Sequence, residues 1–233
     1  MRIAFFGGSF DPPHRGHVAI ALAAADRLSL DTVLVAPVGS QPLKGGVSMA
    51  AYRDRLAMVR LACDADRRLA ASDLDAPNPD GRHNYTYETL CGLKGRLAHT
   101  EPDARLFCLL GADSFHTLAK WHRARELVLL CDFIVAARPG YDLVDLQQRL
   151  PAGVETVHRV ERNGLLTVEL CGVDDDGSST LHLMLDLEED VSATALRTAL
   201  AEGDVRSSGA MLPAGVAEYI RDHHLYQSTG TGG

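Results

Sequence analysis

A chain of 233 residues with 23 basic and 31 acidic side chains carries a formal net charge of −8, which argues against general nucleic-acid binding. Its 46% hydrophobic content supports one sizeable core, and no run approaches the roughly 20 apolar residues that a membrane span needs. Five cysteines, at 63, 91, 108, 131 and 171, are widely spaced without a C-x-x-C pair, so neither a disulfide framework nor a zinc finger is expected and a reducing cytoplasm fits. The short apolar run at the start meets Asp11 and two prolines at once, which leaves no signal peptide.

Ile3–Phe6 has the all-apolar pattern of a strand buried on both faces. Gly7 and Gly8 let the backbone leave it by a tight turn, and Pro12 and Pro13 stiffen the exit. From Gly16 the spacing of Val18, Ile20, Leu22 and several alanines predicts a helix reaching Leu28. His14 and His17 therefore fall at or just before a helix N-terminus, where unpaired N–H groups and the helix dipole favour an anion. Three residues apart, the two imidazoles can face one ligand, each donating to a phosphate oxygen. On residue types alone, turn punctuation beside two surface histidines competes with that reading. Zinc is disfavoured, because no further Cys or His lies at close ligand spacing.

Thr32–Ala36, Leu106–Leu110 and Phe133–Ala137 also read as strands, with helical spacing over Arg53–Cys63 and Thr86–Leu97. The alternation predicts an α/β domain with a parallel sheet and right-handed crossovers, binding its ligands at the carboxyl ends of the strands. Gly7-Gly8 and Gly111-Ala112-Asp113 both sit at such ends, so two halves of one nucleotide site should meet there. A plain strand-to-helix turn capped by Asp113 remains the alternative. Tyr85 and Trp121 are either packing residues or a stacking surface; Trp121, followed by His122 and Arg123, suits a flat heterocycle with charge nearby.

Leu165–Cys171 and Leu181–Leu187 look like two strands of a hairpin joined through 172–180. The acidic cluster in that turn fails as an EF-hand, since Leu185 stands where the loop needs Glu. Ser192 and Thr194 open a further helix, with Ser192 as its cap and Arg197 one turn in; a capped helix bearing a surface arginine accounts for this segment by itself. Leu212–Leu225 reads as a closing helix begun by Pro213. One domain over 1–227 and a flexible tail over 228–233 are expected, without repeats.

The string Gly7-Gly8-Ser9-Phe10-Asp11-Pro12-Pro13-His14-Arg15-Gly16-His17 resembles the HxGH signature of the nucleotidylyltransferase superfamily, and most closely its bacterial nicotinate-nucleotide adenylyltransferases. Val191–Arg197 resembles the family's I-S-x-T-x-x-R segment, Asn84–Thr89 its S-Y-T-x-x-T segment, Leu109–Asp113 its I-I-G-A-D strand end and Arg138-Pro139-Gly140 its R-P-G turn. Pro37–Lys44 resembles its P-x-x-x-P-P-H-K loop but carries Gln41 and Leu43 where proline and histidine are common.

The resemblance covers most of the chain and implies a Rossmann-like nucleotidylyltransferase fold, with a central, mainly parallel sheet flanked by helices. It further implies adenylyl transfer from ATP to nicotinate mononucleotide, giving nicotinic acid adenine dinucleotide and pyrophosphate in NAD biosynthesis. Mg²⁺ would be bound mainly through the ATP phosphates, with no protein metal ligand assigned. His14, His17 and Arg197 become the catalytic candidates. ATP would meet these three together with Gly7, Gly8, Ser9, Phe10, Gly111, Asp113, Ser192 and Thr194. The mononucleotide would meet Lys44, Tyr85, Thr86, Trp121 and Arg138. Two alternatives stay open: a related adenylyltransferase using nicotinamide mononucleotide or phosphopantetheine, and a non-catalytic nucleotide-binding regulator. No nucleic-acid or membrane partner is expected, and a homo-oligomer is left open.

Overall fold

The computed structural model describes residues 1–40, 50–136, 149–174, 177–187, 192–204 and 209–227. Its centre is β1 (Arg2–Gly8), which pairs in parallel with β2 (Thr32–Pro37) on one side and β4 (Arg105–Gly111) on the other. With β3 (Leu69–Ala71), β5 (Asp132–Ala136), β6 (Val154–Arg162), β7 (Leu165–Gly172) and β8 (Ser178–Met184) these form one eight-stranded sheet in the order β3-β2-β1-β4-β5-β8-β7-β6. The chain thus builds outward from β1 in one direction, then returns and builds in the other. That reversal between β1 and β4 opens a crevice at the carboxyl ends of the two strands. Only β6 and β7 join by antiparallel pairing, β6 to β7 and β7 to β8, so the expected hairpin is present and extended by one strand.

Seven helices cover the described sheet: α1 (Arg15–Arg27), α2 (Tyr52–Cys63), α3 (Thr86–Thr100), α4 (Ala112–Thr117), α5 (Ala124–Leu130), α6 (Ala193–Ala201) and α7 (Ala214–Asp222). Because both faces are covered, β1 is apolar throughout its middle. Ala4 and Phe6 pack with Ala21, Ala24 and Ala25 of α1 and Val59 of α2, while Phe5 packs on the opposite face with Leu90 and Leu93 of α3, Phe115 and Leu127. A third apolar cluster ties α2 to α6 and α7 through Met58, Ala62, Leu196, Val216 and Ile220, and includes Tyr226. Among the described residues no helix is long and apolar enough to cross a membrane.

Two differences from the sequence pattern lie in the hairpin region. The second hairpin strand runs over Ser178–Met184 rather than Leu181–Leu187, because polar contacts recruit its start: Ser179 Oγ donates to the Val128 carbonyl at 2.7 Å and the Thr180 N–H to Asp132 Oδ1 at 2.8 Å. β6 has no apolar alternation to announce it, since all its residues after Val154 are exposed. Its neighbour β7 is nevertheless reached through Asn163 and Gly164, both at positive φ (51° and 72°), the dipeptide of a tight hairpin.

Among the described residues the sheet strands bury the polar side chains of Asp132 and His182. His182 of β8 is buried, with Nδ1 3.3 Å from Thr167 Oγ1 and Nε2 lacking a hydrogen-bond partner among the described residues. Burial disfavours its charged form and pushes its pKa down to about 4.

Candidate active site

The turn after β1 is shaped by close packing. A Cβ on Gly7 would come within 2.8 Å of the Phe5 ring, and one on Gly8 within 3.1 Å of the Phe10 ring. Phe10, at φ +46°, occupies a left-handed conformation that costs a non-glycine residue about 1–3 kcal/mol. Its burial opposes that cost: the ring stands edge-on to Phe6 at 5.3 Å and to His17 at 4.9 Å between centroids. The Phe10 ring is therefore a packing element beneath the histidines, 2% exposed.

His14 is the N-cap residue of α1 and His17 its third residue, as the helix pattern predicted. Their rings stack at 3.6 Å and 25°. The His14 backbone N–H donates to His17 Nδ1 at 3.2 Å. Since Nδ1 accepts, a neutral His17 carries its proton on Nε2. Together with the helix N-terminus this makes a donor-rich anion site.

Four long-range hydrogen bonds hold the turn from behind. Arg55 of α2, 1% exposed, donates through Nη1 to the Ser9 carbonyl at 2.8 Å and through Nε to the Ala50 carbonyl at 3.3 Å. Burial lowers its pKa, and the nearby Asp11 charge opposes that. Asp11 is itself 5% exposed; its Oδ1 accepts from the Tyr226 hydroxyl at 2.6 Å and from the Ala50 N–H at 3.2 Å. The Asp11 carbonyl accepts from Arg197 Nη1 at 2.8 Å, while Arg197 Nη2 reaches Thr194 Oγ1 at 3.1 Å. Ser192 caps α6 by accepting from the Ala195 N–H at 3.5 Å, and Leu196 anchors that helix in the third cluster. Two sequence segments 186 residues apart thus meet at one peptide.

Beside the turn lies a cavity of about 440 Å³ across the carboxyl ends of β1 and β4. Gly7, Gly8 and Asp113 of the expected ATP set line it, with Tyr85, Thr86 and Trp121 of the mononucleotide set. Gly111, which is the N-cap of α4, and Asp113 in the first turn of that helix bring the second strand end to the same place. Trp121 is oriented by Nε1 donating to Thr117 Oγ1 at 3.1 Å. The Tyr85 ring lies tilted over His122 at 4.4 Å. Ser9, Phe10, His14, His17, Gly111, Ser192, Thr194 and Arg197 are not in this lining; His14, His17 and Arg197 gather instead at the other flank of the Gly7-Gly8 turn. Lys44, Arg138, Gln41, Leu43 and Val191 fall outside the described residues, as does the 228–233 tail.

Several residues at the site had no role assigned from sequence. Asp75 lines the cavity at 3% exposure; burial raises its pKa, and a hydrogen bond from the Thr89 hydroxyl opposes the rise. Asn84 accepts from the Ser40 N–H at 3.1 Å and donates to the Ala76 carbonyl at 2.8 Å, tying the β2 exit to the cavity wall. A Cβ on Gly39 would meet the Pro77 nitrogen at 2.4 Å, so these two segments can approach only at glycine. Lys120 adds a positive group beside Trp121, and His122, already read from the sequence as part of that cluster, lines the same cavity. Arg55 carried a usable signal: it shares the buried helix face of Met58, Val59 and Ala62, where an arginine is out of place unless paired. Asp75 follows an ordinary polar segment and carried none.

Comparison with known proteins agrees with this architecture. Residues 5–199 match the cytidylyltransferase-like family model. The chain is 34% identical to a protein of Solibacter usitatus over 97% of this chain and 100% of the relative, and 36% identical to one of Gloeobacter violaceus over 97% and 96%. Each is named a probable nicotinate-nucleotide adenylyltransferase. In fold, it is similar to Plasmodium falciparum nicotinic acid mononucleotide adenylyltransferase complexed with NaAD, at TM-score 0.70 and 17% identity, covering 97% of each chain. The same Plasmodium enzyme complexed with APC gives a TM-score of 0.69 at 18% identity, over 97% and 96% of the chains. With both signature segments converging on one turn and full-length relatives above 30% identity, the chain belongs to the cytidylyltransferase-like family and, within it, to the nicotinate-nucleotide adenylyltransferases.

Proposed function

We propose that this protein transfers the adenylyl group of ATP to nicotinate mononucleotide, releasing pyrophosphate. The observation that carries the reading is the meeting of the His14–His17 turn with Arg197, directly beside a cavity that holds Trp121 and Tyr85. The mononucleotide 5′-phosphate is already anionic at neutral pH, so its attack on the α-phosphorus needs no general base. A new phosphorus–oxygen bond forms there, the bond to the bridging oxygen breaks, and pyrophosphate leaves with that electron pair. What the protein contributes is approach and charge stabilisation. His14 and His17 donate to phosphate oxygens, Arg197 supports the departing end, and Trp121 offers a stacking face to the pyridine ring.

Among the described residues no group of three or more His, Cys, Asp or Glu side chains could hold a metal ion; at the turn the histidines and the helix N-terminus present donors, while the Asp11 carboxylate is engaged by Tyr226 and Ala50. That donor set fits Mg²⁺ carried on the substrate phosphates, where it supplies charge neutralisation for pyrophosphate. The net charge of −8 makes the local field of the turn important, since both substrates are anions.

The test is Mg²⁺-dependent pyrophosphate release from ATP, with nicotinate mononucleotide, nicotinamide mononucleotide and phosphopantetheine offered in parallel. Preference for the nicotinate form is expected. Preference for another acceptor would keep the chemistry and overturn the cavity assignment, and ATP binding without turnover on any of the three would overturn the reaction.

A further inference from the structure

Tyr226 lies beyond α7 at φ +63°, a left-handed residue that turns the chain inward and leaves its side chain 7% exposed. Its hydroxyl crosses 215 residues of sequence to donate to Asp11 Oδ1 at 2.6 Å. A buried carboxylate accepting so short a bond is strongly held. Asp11 is also the residue whose carbonyl receives Arg197, and it lies two residues after Ser9, whose carbonyl receives Arg55. Rotation or displacement of Asp11 would therefore move the acceptor of Arg197 and the entry to the His14 cap together.

We infer that Tyr226 is a positioning residue for adenylyl transfer: by donating to Asp11 it fixes the peptide that receives Arg197, and so keeps the arginine and the histidine turn in one frame. The inference rests on the adenylyl-transfer reading above. It reaches beyond the two signature segments, because neither contains Tyr226 nor predicts a contact with it. Misplacing a catalytic group by about 1 Å can cost about a hundredfold in rate, which sets the scale of the effect.

A control lies in the preceding helix, α7. The Tyr219 hydroxyl donates to Asp54 Oδ1 of α2 at 3.1 Å, and its side chain packs against the same apolar cluster as Tyr226, so it stabilises the α7 region without being bonded to Asp11. The experiment is steady-state kinetics of Tyr226→Phe and Tyr219→Phe, well below the melting temperature of each. Tyr226→Phe should lower kcat by about tenfold or more, with the KM for nicotinate mononucleotide within about twofold of the parent protein. Tyr219→Phe should lose thermal stability but keep its kcat. Equal kcat for the two variants, or a Tyr226→Phe loss confined to the mononucleotide KM, would overturn the inference.

If Tyr226→Phe does not fold, Asp11→Asn weakens the same bond from the acceptor side. A parental kcat in that variant would also overturn the inference. If the parent protein does not turn over nicotinate mononucleotide, the reaction assignment fails separately. Calorimetric titration with ATP then decides the positioning role: weaker ATP binding by Tyr226→Phe than by Tyr219→Phe supports it, and equal binding overturns it.

Discussion

The two flanks of the Gly7-Gly8 turn are built by opposite strategies. On the histidine flank the groups are held by bonds of long sequence separation: Arg55 to Ser9, Arg197 to Asp11 and Tyr226 to Asp11. On the cavity flank the orienting contacts beside the aromatics span shorter stretches of chain. Trp121 is set by Thr117 four residues earlier, and Tyr85 begins the helix whose Thr89 holds Asp75. A flank tied into α2, α6 and the segment after α7 resists displacement in any direction, whereas one held by shorter-range contacts can change shape without disturbing its neighbour. On the proposed function the difference would separate chemistry, which demands fixed donors, from acceptor selection, which needs only a cavity wall of the right composition.

Breaking the rigid flank should have the largest effect. His17→Ala removes the proposed transition-state donor and should lower kcat by about 100- to 1000-fold, the usual cost of one such donor, with little change in the melting temperature. Near-parental turnover in a folded His17→Ala protein would contradict the role given to that flank. Altering the cavity flank should be milder and selective. Trp121→Ala should raise the KM for nicotinate mononucleotide by about three- to tenfold through lost stacking, while ATP affinity measured by calorimetry stays put. Equal losses for both substrates would show that the flanks are not separable.

The smallest effect belongs to the sheet that supports both. His182 is neutral in the fold with a pKa of about 4, so the unfolded chain binds more protons as pH falls below its ordinary value of 6.5. Stability from this residue is therefore present at neutral pH and is lost as the pH drops from 6.5 towards 4. Between pH 7 and 5.5 the parent protein should lose about 1 kcal/mol more than His182→Leu, read from urea unfolding at each pH. Parallel pH profiles would move the origin of acid lability from the sheet into the site.

What the sequence disclosed follows the same division. The strand, turn and helix from Ile3 to Leu28 were legible because one continuous segment carries the apolar run, the glycines and the helix start. Tyr85 and Trp121 line the cavity, as the family resemblance implied, although by residue type alone packing was equally open. The network behind the turn was not, because hydrogen bonds spanning 186 and 215 residues leave no local pattern. Arg55 came nearest to giving itself away, as an arginine on an apolar helix face. β6 was hidden for a different reason: exposed on nearly its whole length, it has no buried face to impose alternation, and Asn163-Gly164 was its one sign. The shift of β8 by three residues reflects side-chain bonds from Ser179 and to Thr180, which hydrophobicity does not register.

The distance between Asp11 and Tyr226 along the chain also sets the order in which the molecule can be finished. Contacts of such separation close late, because the entropy of a long loop must be spent before the contact returns anything. The hydrogen bond that orients Trp121 spans only four residues. A refolding chain should therefore regain the fluorescence of its single tryptophan before it regains turnover, and a ribosome-bound chain should stay inactive until residue 226 has cleared the exit tunnel.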